Sequence, residues 1–177
     1  MTSLVLCLSG SGGGNGGPNG VYFDIESKID RNFKVMSLNT YPKSISLNVA
    51  MMMEIIQKNK DIYDKIFIIG WSMGGAAAIQ TAYYANKFIK SDIVTGVILL
   101  ASQNKEAELI GHLDEDMKIF LIHGLNDVAI PSSISQSLFD MCKCQKKLTL
   151  VPNETHNFDN SSKLHDHIIN YLESFIC

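Results

Sequence analysis

Six short apolar runs recur along the chain and predict the strands of a sheet. They lie at residues 4–8, 33–38, 65–70, 93–100, 117–124 and 147–152. Apolar positions are nearly continuous within each run, which is typical of strands that are covered on both faces. Residues with helical spacing lie between the runs, at 21–30, 44–60, 73–89, 131–143 and 160–175. This alternation predicts an α/β fold with a mostly parallel six-stranded sheet flanked by helices.

The domain organisation follows from the length and from the connections. A chain of 177 residues is expected to form a single domain over residues 1–177. No internal repeat or linker divides it, and the polar connection at residues 101–116 is too short to hold an inserted domain. Because crossovers between parallel strands are right-handed, all strand carboxyl ends meet at one edge, where such sheets bind ligands. We therefore expect an uncovered site at that edge.

Composition and charge narrow the classes of partner. The chain is 46% hydrophobic and 19% charged, with a formal net charge of -3. These values are typical of a globular protein and give no basic surface that attracts nucleic acid. No apolar run approaches the roughly 20 residues that a membrane span needs, and the first residues do not resemble a secretory leader. We expect a cytoplasmic protein with neither a nucleic-acid partner nor a membrane span, whereas the oligomeric state stays open.

The cysteines give no sign of a metal site. Cys7, Cys142, Cys144 and Cys177 are expected to remain reduced in the cytoplasm. Cys142 and Cys144 fall at the end of a predicted helix, where side chains two positions apart diverge, and the chain holds no second pair. We therefore expect no bound metal.

The clearest chemical signal follows the third predicted strand. The sequence GWSMGG, at residues 70–75, matches the pattern G-x-S-x-G with Ser72 at its centre, and an alanine-rich helical segment follows it. This pattern forms a sharp turn between a strand and a helix, and the turn exposes the serine in a strained backbone conformation. Gly70 and Gly74 allow neighbouring backbone to pass closely. Ser72 is therefore the candidate nucleophile.

A serine nucleophile needs a base and an acid that orients the base. HGLNDVAIP places Asp127 just after the fifth predicted strand, and VPNETHNF places His156 just after the sixth. The chain order Ser72, Asp127, His156 is the order that the turn motif predicts. His123, at the end of the fifth strand, is interpreted as a hydrogen-bonded core residue that shapes the loop of the acid.

With these three segments the chain resembles the α/β-hydrolase superfamily over nearly its whole length. GWSMGG resembles its nucleophile elbow, HGLNDVAIP its acid-bearing segment and THNF its histidine loop. The short form without a cap domain is similar to dienelactone hydrolases, acyl-protein thioesterases and other small serine esterases. The chain departs from larger members because it lacks a cap and the two antiparallel strands that usually precede the first strand. It also has Ser9-Gly10 where many relatives have His-Gly.

The glycine-rich stretch SGSGGGNGGPNG, at residues 9–20, allows two interpretations. Gly12, Gly14 and Gly17 match G-x-G-x-x-G, a dinucleotide-binding pattern. That pattern requires a helix at the last glycine and an acidic residue about twenty positions later. Residues 18–20 prolong the loop instead, which argues against nucleotide binding.

The resemblance assigns this loop to the oxyanion hole. In the superfamily, the loop after the first strand and the residue after the nucleophile each supply an N–H group to the oxyanion. By resemblance the donors are Ser11 and Met73. The surplus glycines at 12–17 either make the loop mobile or leave room for a bulky acyl or leaving group.

Together these residues predict a serine hydrolase that cleaves a carboxylic ester or thioester through an acyl-enzyme. Ser72, Asp127 and His156 form the triad, Ser11 and Met73 the oxyanion hole, and neither a metal nor an organic cofactor is required. The substrate is a small-molecule or acylated compound of unspecified chain length. Two alternatives stay open: a non-catalytic binding protein with the same fold, and another triad reaction such as amide hydrolysis or a lyase reaction.

Overall fold

The computed structural model describes residues 2–12, 14–40, 44–160 and 164–175. The strands are β1 (Ser3–Leu8), β2 (Phe33–Leu38), β3 (Lys65–Trp71), β4 (Val94–Leu100), β5 (Lys118–Gly124) and β6 (Gln145–Val151). The helices are α1 (Val21–Lys28), α2 (Ile45–Asn59), α3 (Met73–Phe88), α4 (Ser133–Met141) and α5 (Leu164–Glu173). The predicted elements are confirmed in order and type, with ends that differ by a few residues. Asn160, predicted to open the last helix, lies outside it, and residues 161–163 are not among those described.

The six strands form one sheet in the order β2-β1-β3-β4-β5-β6, and each neighbouring pair is parallel. The predicted parallel α/β sheet is therefore confirmed. The chain order reverses around β1, which lies between β2 and β3, so the loops after β1 and β3 leave the sheet side by side. Ligands bind at such a switch point in open parallel sheets.

Two layers of helices bury the sheet. On one face α2, α3 and α4 cover a cluster that includes Leu6, Ile68 and Leu99. On the other face α1 and α5 cover a cluster that includes Val5 and Phe67. Successive residues of a strand point to opposite faces, so covering both faces requires the continuous apolar runs that the sequence shows.

The two edge strands differ from the expectation that all six strands are covered on both faces. β2 is fully buried at only two of its six positions. The other edge strand, β6, departs further. It is only partly buried, and several of its positions are exposed. Its sequence begins QKK, and lysines at a sheet edge oppose pairing with another chain. The position at the edge of the sheet explains the exposure.

No cap domain covers the carboxyl edge of the sheet in the described ranges. The connection between β4 and β5 holds only a short 3-10 turn at Glu108–His112. Among the helices that the structure describes, none combines the length and the apolar character required to cross a bilayer.

The end of α4 corrects one sequence-based expectation. The helix ends at Met141, and Cys142 has an extended backbone with φ -66° and ψ 131°. Side chains two positions apart lie on the same side of an extended segment. The Sγ atoms of Cys142 and Cys144 are accordingly 2.9 Å apart, and the expectation that these thiols diverge is wrong.

Candidate active site

Ser72 occupies a strained turn between β3 and α3. Its backbone has φ 55° and ψ -119°, a conformation that costs a non-glycine residue about 1–3 kcal/mol. The surrounding structure holds the turn from both sides: the Ser72 N–H donates to Leu100 O at 2.9 Å, and Ser72 O accepts from Gly75 N at 3.0 Å. The side chain thus stands at the carboxyl edge of the sheet, as the G-x-S-x-G pattern predicts.

Glycines around Ser72 permit close backbone contacts. A Cβ atom at Gly70 would lie 2.3 Å from Gly74 O, and one at Gly74 would lie 2.4 Å from Leu8 O. Real Cβ atoms essentially never approach an oxygen so closely. Gly74 therefore allows the first turn of α3 to pack directly against the backbone at the end of β1.

Asp127 follows β5, and its carboxylate is fully buried and held from two directions. Oδ1 accepts from the backbone N–H groups of Ala129 and Ile130, each at 2.8 Å. Oδ2 accepts from His156 Nδ1 at 2.7 Å and from His123 Nε2 at 3.1 Å. Four donors thus compensate the buried charge and fix the carboxylate orientation.

His123 donates to the acid from inside the core. Its ring is fully buried, and Nε2 also lies 2.9 Å from Ile130 O. Because a carbonyl oxygen only accepts, Nε2 carries a proton, and in the neutral ring Nδ1 accepts from Ser135 Oγ at 2.7 Å. The interpretation of His123 as the residue that shapes the acid loop is confirmed. Its direct bond to the Asp127 carboxylate was not predicted.

The contact with Asp127 sets the protonation of His156. A carboxylate accepts only, so the 2.7 Å contact requires a proton on Nδ1 and leaves Nε2 of the neutral ring as a free base. The His156 side chain is 20% exposed, which leaves it open to a reactant at the sheet edge. The structure thus brings together the two partners that the sequence places 29 residues apart.

Trp71, beside the candidate nucleophile, fixes the histidine loop. Its indole Nε1 donates to His156 O at 3.0 Å, and the two rings lie 5.4 Å apart between centroids. This contact spans 85 residues of sequence. The sequence did not predict this role for Trp71, since no spacing rule signals a contact between two separate loops.

Trp71, the neighbour of Ser72 in the chain, connects the serine turn to the histidine loop. In the described part of the chain, Ser72 Oγ makes no hydrogen bond to the His156 ring. Such bonds are often long in enzymes without substrate and tighten when the substrate binds. The arrangement is thus an oriented acid and base close to a half-buried serine in a strained turn.

The loop after β1 lies against Ser72. A Cβ atom at Gly10 would lie 3.0 Å from Ser72 Cβ and 3.4 Å from Ser72 Oγ. Ser11, the next residue, is exposed. Met73 opens α3, where the first backbone N–H groups have no partner within the helix. Ser11 follows Gly10 in the chain, and Met73 follows Ser72. The two proposed oxyanion donors are thus the next residues after a pair that lies side by side.

The remaining glycines of the loop separate into two groups. Gly17 has φ +70°, and a Cβ atom there would lie 2.6 Å from the Tyr22 ring, while one at Gly16 would lie 2.8 Å from Phe23. Gly12 and Gly14 have no atom within 4 Å of such a Cβ. Gly12 and Gly14 are thus free of packing constraints, as is Gly20, whose φ of +75° nevertheless disfavours a side chain. Gly13 lies outside the described residues.

Metal-binding arrangements are absent from the described ranges, where no three His, Cys, Asp or Glu side chains are close enough to hold an ion. The loop at residues 9–20 continues through a 3-10 turn at Pro18–Gly20 before α1 begins at Val21.

Comparison with solved structures supports the fold. The chain is similar to dienelactone hydrolase from Anabaena variabilis, with a TM-score of 0.76, 17% identity and coverage of 98% of this chain and 85% of that one. Est1E from Butyrivibrio proteoclasticus gives 0.75 at 15% identity, covering 99% and 87%. A variant of SOBER1 from Arabidopsis thaliana gives 0.77 at 14% identity, covering 100% of both chains. Identities this low show a shared fold alone.

Family membership rests on the sequence. No curated protein sequence matches the chain significantly. The model of the phospholipase/carboxylesterase family matches residues 15–174, which is most of the chain. The resemblance stated from the sequence is thereby confirmed. The chain belongs to the phospholipase/carboxylesterase family of α/β hydrolases.

Proposed function

We propose that the protein is a serine esterase that cleaves a carboxylic ester or thioester through an acyl-enzyme. The observation that carries the proposal is the 2.7 Å bond from His156 Nδ1 to the buried Asp127 carboxylate, beside the strained Ser72. A buried carboxylate that fixes the tautomer of a partly exposed histidine is the arrangement that activates a serine. Family membership supports the same class of reaction.

In the first half of the reaction Ser72 Oγ attacks the substrate carbonyl carbon, and His156 Nε2 takes the hydroxyl proton. Asp127 stabilises the resulting imidazolium through Nδ1. The backbone N–H groups of Ser11 and Met73 donate to the oxyanion that forms at the carbonyl oxygen. The carbonyl then reforms, the bond to the leaving alcohol or thiol breaks, and His156 returns the proton to that group.

The second half reverses these roles with water. His156 Nε2 takes a proton from a water molecule, whose oxygen attacks the acyl carbon and forms a second oxyanion. Collapse of this intermediate breaks the bond to Ser72 Oγ, releases the carboxylic acid and returns the proton to the serine. No step requires a metal or an organic cofactor.

Apolar side chains on the acid loop suit an apolar substrate. Leu125 is 49% exposed and Val128 is 99% exposed, on either side of Asp127. Exposed apolar groups next to a polar site provide contact area for an acyl chain or for an apolar alcohol. The absence of a cap in the described ranges leaves this surface accessible to substrates of varied size.

A fluorophosphonate probe tests the proposal. We expect one adduct by intact mass on the wild type and none on Ser72→Ala. Ser137→Ala serves as a matched control, since Ser137 lies exposed on α4 and bonds only to a neighbouring carbonyl. A folded wild-type protein without an adduct would refute an activated serine and favour a binding protein.

Substrate pairs separate the remaining classes. Turnover is compared for a butyryl nitrophenyl ester, a butyryl thioester and the matching anilide. The proposal expects the ester or the thioester to react fastest. Preferential cleavage of the anilide would instead identify an amidase.

A further inference from the structure

The paired thiols of Cys142 and Cys144 lie outside the candidate active site. Their Sγ atoms are 2.9 Å apart and form a direct thiol–thiol hydrogen bond. The side chains are nearly buried, at 2% and 5% exposure. The extended backbone after α4 turns both toward the same side. The two thiols therefore share one proton-bridged contact, which the proposed hydrolysis does not use.

The surroundings favour a negative charge on Cys142. A hydrogen bond from the Cys144 thiol, together with the Lys146 ammonium, lowers the pKa of Cys142 to about 7, against the opposing effect of burial. The Lys146 Nζ is held in place because it donates to Cys142 O at 2.8 Å and to Phe139 O at 2.7 Å. The pKa of Cys144 is raised, chiefly because its thiol donates to Cys142. Cys142 is thus the thiolate and Cys144 the donor.

We propose that Cys142 and Cys144 form a reversible redox pair, in which Cys142 reacts with a small hydroperoxide and Cys144 closes a disulfide. The sulfur atoms need to approach by roughly 0.9 Å to reach the disulfide bond length of about 2.05 Å. Disulfides of this kind in reducing compartments are usually transient. The proposal is independent of the proposed esterase activity.

The chemical steps balance. The Cys142 thiolate attacks one oxygen of hydrogen peroxide, the O–O bond breaks, and the departing hydroxide takes up from solvent the proton that the Cys142 thiol released and leaves as water. Cys142 is then a sulfenic acid. The Cys144 sulfur attacks the Cys142 sulfur, the S–O bond breaks, and the departing hydroxide takes the Cys144 proton as a second water. Two thiols lose two electrons and the peroxide gains them.

Burial selects the oxidant. The low exposure of both thiols blocks in-line attack on a bulky disulfide such as oxidised glutathione, whereas hydrogen peroxide is no larger than two waters. Cys7 is the internal comparison within the same chain. It is fully buried, and burial raises its pKa well above the usual range, so it stays a thiol and does not react.

The test uses the full chain with Cys177→Ser in every sample, because Cys177 lies outside the described residues. Hydrogen peroxide is added to the folded protein, and peptide mapping follows the cysteines. We expect a Cys142–Cys144 disulfide that dithiothreitol reverses, while Cys7 remains reduced. The mapping requires no variant at the pair, so a folding defect cannot obscure it.

Two variants then assign the roles. With Cys144→Ser the sulfenic acid on Cys142 cannot be resolved, so dimedone that is present while the peroxide-treated protein is unfolded should label Cys142. With Cys142→Ser the remaining Cys144 has lost its thiolate partner, and dimedone labelling should fall by at least about tenfold, the factor that one pKa unit represents. Circular dichroism checks that both variants fold.

Three results would overturn the proposal. The first is that Cys142 and Cys144 stay reduced in the folded wild-type protein at a peroxide concentration that oxidises them in the denatured protein. The second is Cys144→Ser without a dimedone adduct. The third is equal dimedone labelling of Cys144 in Cys142→Ser and of Cys142 in Cys144→Ser. Equal labelling would show that Cys142 is not the more reactive thiol.

Discussion

Replacing Gly74 by alanine tests whether a backbone contact sets the oxyanion hole. Gly74 lies in the first turn of α3, next to Met73, and packs on the backbone at the end of β1. An added Cβ atom would lie 2.4 Å from Leu8 O and 2.7 Å from Ser9 O. The two proposed oxyanion donors lie on opposite sides of this contact, one on each segment. The methyl group should therefore separate them.

The distances give the size of the effect. Carbon and oxygen atoms in close contact lie about 3.3 Å apart, so the segments must separate by roughly 0.6–0.9 Å. A misplacement of about 1 Å costs about 10²-fold in rate, and loss of one oxyanion donor costs about 10²–10³-fold in kcat. We expect kcat of Gly74→Ala to fall about 100-fold. KM should change little, because the oxyanion forms only in the transition state.

The stability of the variant should fall much less than its activity. Overpacking costs about 1–3 kcal/mol, whereas alanine in place of glycine within a helix gains about 1 kcal/mol. The net loss of unfolding free energy is thus at most about 2 kcal/mol, and the protein should remain folded. Unfolding in urea, compared with ester turnover, separates the two effects.

Gly14→Ala is the matched control within the oxyanion loop. No atom lies within 4 Å of the added Cβ, so stability should stay within about 0.5 kcal/mol and kcat on a short-chain ester should be that of the wild type. A folded Gly74→Ala protein with wild-type kcat would refute the reasoning. Equal losses in both variants would show that any added side chain in this region impairs turnover, which also contradicts it.

Further substitutions test the acid and the loop. Asp127→Asn should lower kcat by about 10⁴-fold, because the amide donates to His156 Nδ1 and reverses its tautomer; steady-state ester kinetics measure this. His123→Asn should cost about 1.5–3 kcal/mol in urea unfolding, because it removes a donor to a buried carboxylate, and His123→Gln, which places an N–H near Nε2, should lose less. Gly17→Ala should cost about 1–3 kcal/mol in thermal unfolding, since φ is +70° and the Tyr22 ring obstructs the methyl group.

The sequence was sufficient for the sheet and for the order of the candidate triad. Continuous apolar runs identify strands because a strand buried on both faces has no polar side, and β1 shows this fully. Ser72, Asp127 and His156 each follow a predicted strand directly, so parallel topology alone brings them to one edge. The edge strands β2 and β6 were the exceptions, because position at a sheet edge is a property of strand order and not of local pattern.

Contacts that depend on the exact course of the backbone were beyond sequence reasoning. The bond from Trp71 to His156 O joins two loops that no periodicity relates. The Cys142–Cys144 contact depends on whether α4 ends two residues earlier or later, and element ends are the least predictable feature of a pattern. In both cases a shift of a residue or two in the backbone decides which atoms meet.

The glycines of the loop at residues 9–20 have two different structural roles. Gly10 admits Ser72 at one end, and Gly17 admits the Tyr22 ring at the other, where the Tyr22 hydroxyl donates to Leu8 O at 2.8 Å. These glycines fix the loop by allowing close packing, so the interpretation as a uniformly mobile segment does not apply to them. In the middle of the loop, Gly12 and Gly14 face open space. The hypothesis that the loop leaves room for a bulky acyl or leaving group therefore concerns only the middle of the loop. The ends of the loop, anchored at Gly10 and Gly17, would keep the oxyanion donors in place while the middle adapts to the substrate.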